Sequence, residues 1–153
     1  MYRLGFSNSQ SLKEAPWRSN PICFFEGRCE EAVEFYRQKL GATVGILMRY
    51  QDSPEPACDK RPAGSERKIM HACLTLGDAV IMASDGTCSG TPDFKGFSLS
   101  LSVASESEAD RMFDALADGG EVLMPLEKTF WSPRFGMLAD RFGVSWMINT
   151  LGE

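Results

Sequence analysis

The order of the predicted elements constrains this chain most: strand, helix, strand, strand, strand, and then the same five again. In the first copy, "PICFFEG" (21–27) reads as a strand. "CEEAVEFYRQKL" (29–40) follows it, with Ala32, Val33, Tyr36 and Leu40 on one helical stripe and Gly41 as the stop. Strands at 42–50, 69–76 and 79–84 complete that copy, the last two joined by the turn "GD". The second copy opens on "GFSLSLSV" (96–103), which alternates strictly with period two. Its helix begins with a capping box, Ser105 followed by Glu108, and carries Ala109, Met112, Phe113, Leu116 and Ala117 at i, i+3, i+4, i+7 and i+8. Gly119-Gly120 ends it, and strands at 121–128, 134–139 and 144–149 follow. The copies span 21–84 and 97–149 and share architecture rather than residues. Their difference in length lies in one 17-residue loop at 52–68, whose four acids and four bases cancel. A loop that long in a compact domain reads as a lid or flap.

At 153 residues the chain suits one domain over 20–153, preceded by an irregular extension over 1–19 with a short ordered piece expected around Trp17. A net charge of −5 and the absence of a basic run argue against a nucleic-acid partner. No apolar segment approaches the ~20 residues of a membrane span, and the first residues lack the apolar centre of a secretion signal. Five scattered cysteines (23, 29, 58, 73 and 88) without a C-x-x-C pair suit free thiols in a reducing compartment better than disulfides or structural zinc. A soluble, cytoplasmic protein is the expectation.

The stretches "FFEGRCEEAVEFYRQKLGA", "MHACLTLGDAVIMASD", "GFSLSLSV" and "KTFWSPRFGMLADRFGVSWMIN" resemble the PhnB-like branch of the vicinal oxygen chelate superfamily. That superfamily includes glyoxalase I, bleomycin-resistance proteins and extradiol dioxygenases, and the branch carries a label of 3-demethylubiquinone-9 3-methyltransferase. The resemblance covers about residues 20–150. It implies an α+β fold in which two βαβββ modules form an open, curved, eight-stranded mixed sheet with helices on the outer face. It also implies a homodimer and a divalent metal held by His or Gln, Glu, His and Glu from the first and last strand of each module. Those positions fall here on Pro21, Met82, Ser98 and Met147. Proline offers no side-chain ligand, thioethers are soft, and a serine hydroxyl is a poor neutral donor, so no metal and no other cofactor is expected.

Strand alternation assigns the faces. Val144, Trp146 and Ile148 should pack under the helices, leaving Ser145, Met147 and Asn149 toward the cup. Ser98, Ser100 and Ser102 face the cup in the fifth strand, as do His71, Cys73 and Thr75 in the third. The candidate ligand-binding set is therefore His71, Cys73, Met82, Ser98, Ser100, Phe130, Trp131 and Met147. His71, the only histidine, is the candidate catalytic acid or base, although a histidine satisfied by a neighbouring hydroxyl or carbonyl is the plainer reading. Cys29 opens the first helix, where unpaired N–H groups favour a thiolate, against a plain capping-region thiol. Asp140 and Gly143 read as turn residues, and Glu26 and Glu127 as solvated charges. The methyltransferase label finds no support, because "LGDAVIM" and "RFGVSWM" join strand to strand and "GTCSG" precedes no helix. The leading function is metal-independent binding of a small organic molecule. The alternatives are a lyase, isomerase or oxygenase with a non-standard metal site or His71 chemistry, and a protein-binding module with a vestigial pocket.

Overall fold

The computed structural model describes residues 18–55 and 60–151. The expectations for Trp17 and for the centre of the long loop lie outside these residues. Within them the predicted order appears twice: β1 (Ile22–Phe24), α1 (Cys29–Leu40), β2 (Thr43–Arg49), β3 (Ile69–Leu76) and β4 (Ala79–Ser84), then β5 (Leu99–Val103), α2 (Glu106–Ala117), β6 (Glu121–Glu127), β7 (Phe135–Ala139) and β8 (Ser145–Thr150). The eight strands form two four-stranded mixed sheets of matching order, β1-β4-β3-β2 and β5-β8-β7-β6. In each, the first strand runs parallel to the last and the remaining pairs are antiparallel.

The helix signals act as read. Ser105 Oγ accepts from Glu108 N–H at 3.2 Å, and Gly41 closes α1 in the left-handed region with φ 69°. The start of α1 is held differently. Arg28 provides no side-chain cap. Instead the buried Asp85 carboxylate, beyond the end of β4, accepts from Gly27 N–H and Cys29 N–H at 2.8 Å with one oxygen and from Ile69 N–H with the other. Cys29 is fully buried there, and burial followed by the nearby Asp85 charge pushes its thiol far up, opposite to an activated thiolate. Glu26 is likewise engaged rather than merely solvated: its carboxylate accepts from Thr87 Oγ1 and Ser89 N–H, both at 2.9 Å, fixing the chain after β4.

The long loop is tied down where it is described. Tyr50 N–H donates to Lys68 C=O, Gln51 N–H to Glu66 C=O, and Lys68 Nζ reaches Gly27 C=O at 2.6 Å.

The two units join through their interiors. Tyr36 on α1 meets Trp146 on β8 at 5.6 Å between rings, and Phe142, in the β7–β8 turn, contacts Phe25, Phe35 and Tyr36. Phe94, in the connector between units, packs on Phe25 at 5.3 Å. Asp140 sits at this junction. One carboxylate oxygen accepts from Phe142 N–H and Val144 N–H, the turn role read from sequence, and the other accepts from Tyr36 O–H and Trp146 Nε1–H.

This junction makes stability depend on alkaline pH. Burial, reinforced by the Asp140 charge, pushes the Cys23 thiol from 9.0 to about 11 and the Tyr36 phenol well above its ordinary 10. Both groups hold their protons more tightly folded than unfolded. The stability they contribute is whole below about pH 9 and is lost as pH rises toward 11, with Cys23 alone accounting for ~2–3 kcal/mol. Urea midpoints measured from pH 7.5 to 10.5 should fall above pH 9. A flat profile across that range would contradict the linkage.

Candidate functional site

Alternation divides the faces as the sequence indicates. Val144, Trp146 and Ile148 are fully buried beneath the helices, while Ser145, Met147 and Asn149 are half-buried on the opposite, open face. In β3, Ala72 and Leu74 are buried and His71 and Cys73 are half-buried on the open face; Ile69, of the same parity as His71, is buried as well, where the ladder with β2 shifts register beside its partner Arg49. Leu99 and Leu101 pack against the core without being fully enclosed, because β5 is an edge strand.

The candidate residues fall into three places. Ser98 and Met147 share a cleft of about 770 Å³ with Ser145, Leu123, Phe94 and Phe97. Ser98, just before β5, and Ser145, at the start of β8, join hydroxyls at 2.7 Å, while Ser100 lies beside Met147 in register and outside the cleft lining. The connector residues Phe94 and Phe97, 6.4 Å apart between rings, close one side of the cleft. Neither was singled out in the sequence: Phe94 lies in a Gly/Pro/Asp-rich connector without a periodic signal, and Phe97 falls before the strand that begins at Leu99, so the alternation read over 96–103 does not aim it.

Phe130 and Trp131 border a separate depression of about 890 Å³, with Ser105, Glu106, Lys128 and Arg134. They pack edge-to-face at 4.7 Å, Phe130 remains 96% exposed, and Trp131 leans on Phe135. His71, Cys73 and Met82 lie on the open face of the other sheet, where Cys73 Sγ and His71 Nε2 are 3.3 Å apart and Met82 is directly opposite Cys73.

The register also tests the metal positions. Ile22 pairs with Met82 and therefore shares its face, so Pro21 is displaced by one residue from the place expected of it. Ile22, Met82, Ser98 and Met147 supply a hydrocarbon, two thioethers and a hydroxyl, a donor set unfit for a hard or borderline divalent ion. Among the described residues, no three His, Cys, Asp or Glu side chains converge on a metal position. No helix among them is long and apolar enough to cross a membrane.

Comparison with known proteins places these features in a family. Residues 18–149 match the family model described as 3-demethylubiquinone-9 3-methyltransferase. The chain is 35% identical over 140 residues to protein YjdN of Escherichia coli strain K12, covering 88% of this chain and 95% of that protein. The crystal structure of PA1353 from Pseudomonas aeruginosa has 45% identity and a TM-score of 0.78, over 90% of this chain and 99% of that one. The PhnB protein from Bacillus cereus has 30% identity and a TM-score of 0.71, over 88% and 100%. With its two βαβββ units in matching strand order, the chain belongs to this PhnB-like family of the glyoxalase/bleomycin resistance/dioxygenase fold.

Proposed function

We propose that the protein binds a small organic molecule in the cleft between β8, the β7–β8 turn and the connector that leads into β5, without a metal. The observation that carries this reading is the composition of that cleft. A hydroxyl pair, Ser98 and Ser145, stands among Met147, Leu123 and two phenylalanines, with the exposed Asp93 and Lys95 also lining the cleft, which suits a partly apolar ligand with a few polar groups. Its volume of about 770 Å³ falls in the range of small-molecule sites. Methyl transfer has no support in the fold. The glycines at 77 and 143 turn strand into strand, and neither connection from strand to helix is a glycine-rich phosphate loop.

The enzyme alternative, with His71 as acid or base, has less behind it, because His71 lies on the other sheet with the Cys73 thiol as its partner. A homodimer belongs to the proposal. Ile22 and Phe24 on the open edge strand β1 are 46% and 49% exposed, apolar surface that a second copy would cover. The thiols of Cys23, Cys29, Cys73 and Cys88, all free, suit a cytoplasmic setting.

A thermal-shift screen over quinones, phosphonates and aromatic antibiotics identifies the ligand class. Ser98→Trp should fill the cleft and abolish the ligand-induced shift, at a cost below the ~1–3 kcal/mol of overpacking a closed core. Ile148→Ala, on the opposite face of β8, should lose ~2–5 kcal/mol while the folded fraction still binds. Retained binding by Ser98→Trp would overturn the assignment of the cleft. Elemental analysis of protein purified without chelators or metal resin should show no stoichiometric Ni, Zn, Mn or Fe. One equivalent of any of these, lost together with thermal stability on chelation, would refute metal independence. Light scattering should give twice the 16.9 kDa of the chain, and a stable monomer at micromolar concentration would refute the dimer.

A further inference from the structure

The open face of the first sheet gathers four soft or borderline donors that the cleft does not use. His71 and Cys73 project side by side from β3 with Nε2 and Sγ 3.3 Å apart. Directly opposite Cys73 in β4 is Met82, and directly opposite His71 in β2 is Met48. Residues paired in antiparallel register share a face, with Cβ atoms ~4.5–5.5 Å apart. Rotation about a methionine's χ1 and χ2 can then swing its sulfur over the neighbouring residue. All four side chains are solvent-accessible to some degree, Met48 being 38% exposed.

We propose that His71, Cys73, Met82 and Met48 form a binding site for a soft monovalent metal ion, copper(I). Three observations carry it. The separation of Sγ and Nε2 is close to that of two ligands on one ion, since bonds of ~2.3 Å to sulfur and ~2.0 Å to nitrogen at a tetrahedral angle put the two atoms about 3.5 Å apart. Two thioethers beside one thiol and one imidazole select copper(I) over hard oxygen-seeking ions, and among the described residues no three His, Cys, Asp or Glu side chains converge to compete. Charge balances as well: the thiol gives its proton to solvent, the thiolate sulfur and the neutral imidazole nitrogen each donate a lone pair to the ion, and thiolate plus copper(I) is neutral on a half-buried face. The site lies within one sheet and shares only Met82 with the positions that hold divalent metal in related folds. It therefore stands or falls apart from the ligand cleft.

The test is an anaerobic titration of the full chain with copper(I) in competition with bicinchoninate, together with silver(I) as a redox-inert probe. The wild type should withhold one equivalent of copper(I) from the chelator. Cys73→Ser should weaken binding by more than the ~10–100-fold typical of losing an outer partner of a metal ligand. His71→Gln should do the same, and Met48→Leu with Met82→Leu should cost about 10-fold. In protein labelled with 13C at the methionine methyls, silver(I) should shift the Met48 and Met82 signals at one equivalent, a readout on the wild type that needs no variant to fold. Cys58→Ser with Cys88→Ser, and separately Ser98→Trp, should bind as the wild type does. Full affinity in Cys73→Ser, unmoved Met48 and Met82 methyls, or loss of binding in the Cys58/Cys88 variant would each overturn the proposal.

Discussion

Asp140→Ala should destabilise the protein by at least about 4 kcal/mol, because four donors lose their acceptor in a closed interior and each buried unsatisfied group costs ~1–3 kcal/mol. Two of those donors, Tyr36 O–H and Trp146 Nε1–H, come from different units, and Asp140 itself is only 3% exposed. Asp140→Asn is the informative partner. Its carbonyl oxygen can still accept from Phe142 N–H and Val144 N–H, but its amide nitrogen faces the indole N–H donor to donor. A loss of about 2 kcal/mol is expected there, roughly half that of alanine. Urea unfolding followed by tryptophan fluorescence measures both. An alanine variant within 1 kcal/mol of the wild type would show that the junction does not depend on this carboxylate.

Gly120→Ala should be nearly as damaging, for a steric reason. A Cβ at Gly120 would stand 2.2 Å from the Ala139 carbonyl oxygen and 3.0 Å from Asp140 backbone atoms, so β6 and β7 would have to part where they pair. The expected loss is at or above the upper end of the ~1–3 kcal/mol that overpacking usually costs. Gly119→Ala is the control. Gly119 has φ 77°, and its nearest neighbour is the flexible Arg141 side chain, so only the left-handed backbone penalty of ~1 kcal/mol applies. Equal thermal shifts for the two variants would show that backbone conformation, and not space, holds both glycines in place.

How far the sequence could be read depended on whether a signal was local. The βαβββ order, both helices and the two faces of β8 follow from periodicity, a capping serine and glycine stops, all acting within a few residues. The cap on α1 was hidden because Asp85 lies 56 residues from the Cys29 N–H it accepts. Asp140 was legible as a turn residue, since its bonds to Phe142 and Val144 are local. Its bond to Tyr36 spans 104 residues and leaves no pattern in the chain. The faces of the candidate residues were legible, and their grouping was not. Alternation says that His71, Ser98 and Met147 point away from the helices, but how two sheets sit against each other decides whether they share a wall.

The aromatic junction also bears on how the duplication behaves as a folding system. Each half completes its interior with side chains from the other: Phe142 lies among Phe25, Phe35 and Tyr36, and Tyr36 in turn lies on Trp146. Cut in the connector, either half would present large rings to water and strand a carboxylate or a phenol without its mate. The two units therefore depend on each other for a closed interior. The chain should melt in one transition rather than two, and neither half should persist as an independent domain.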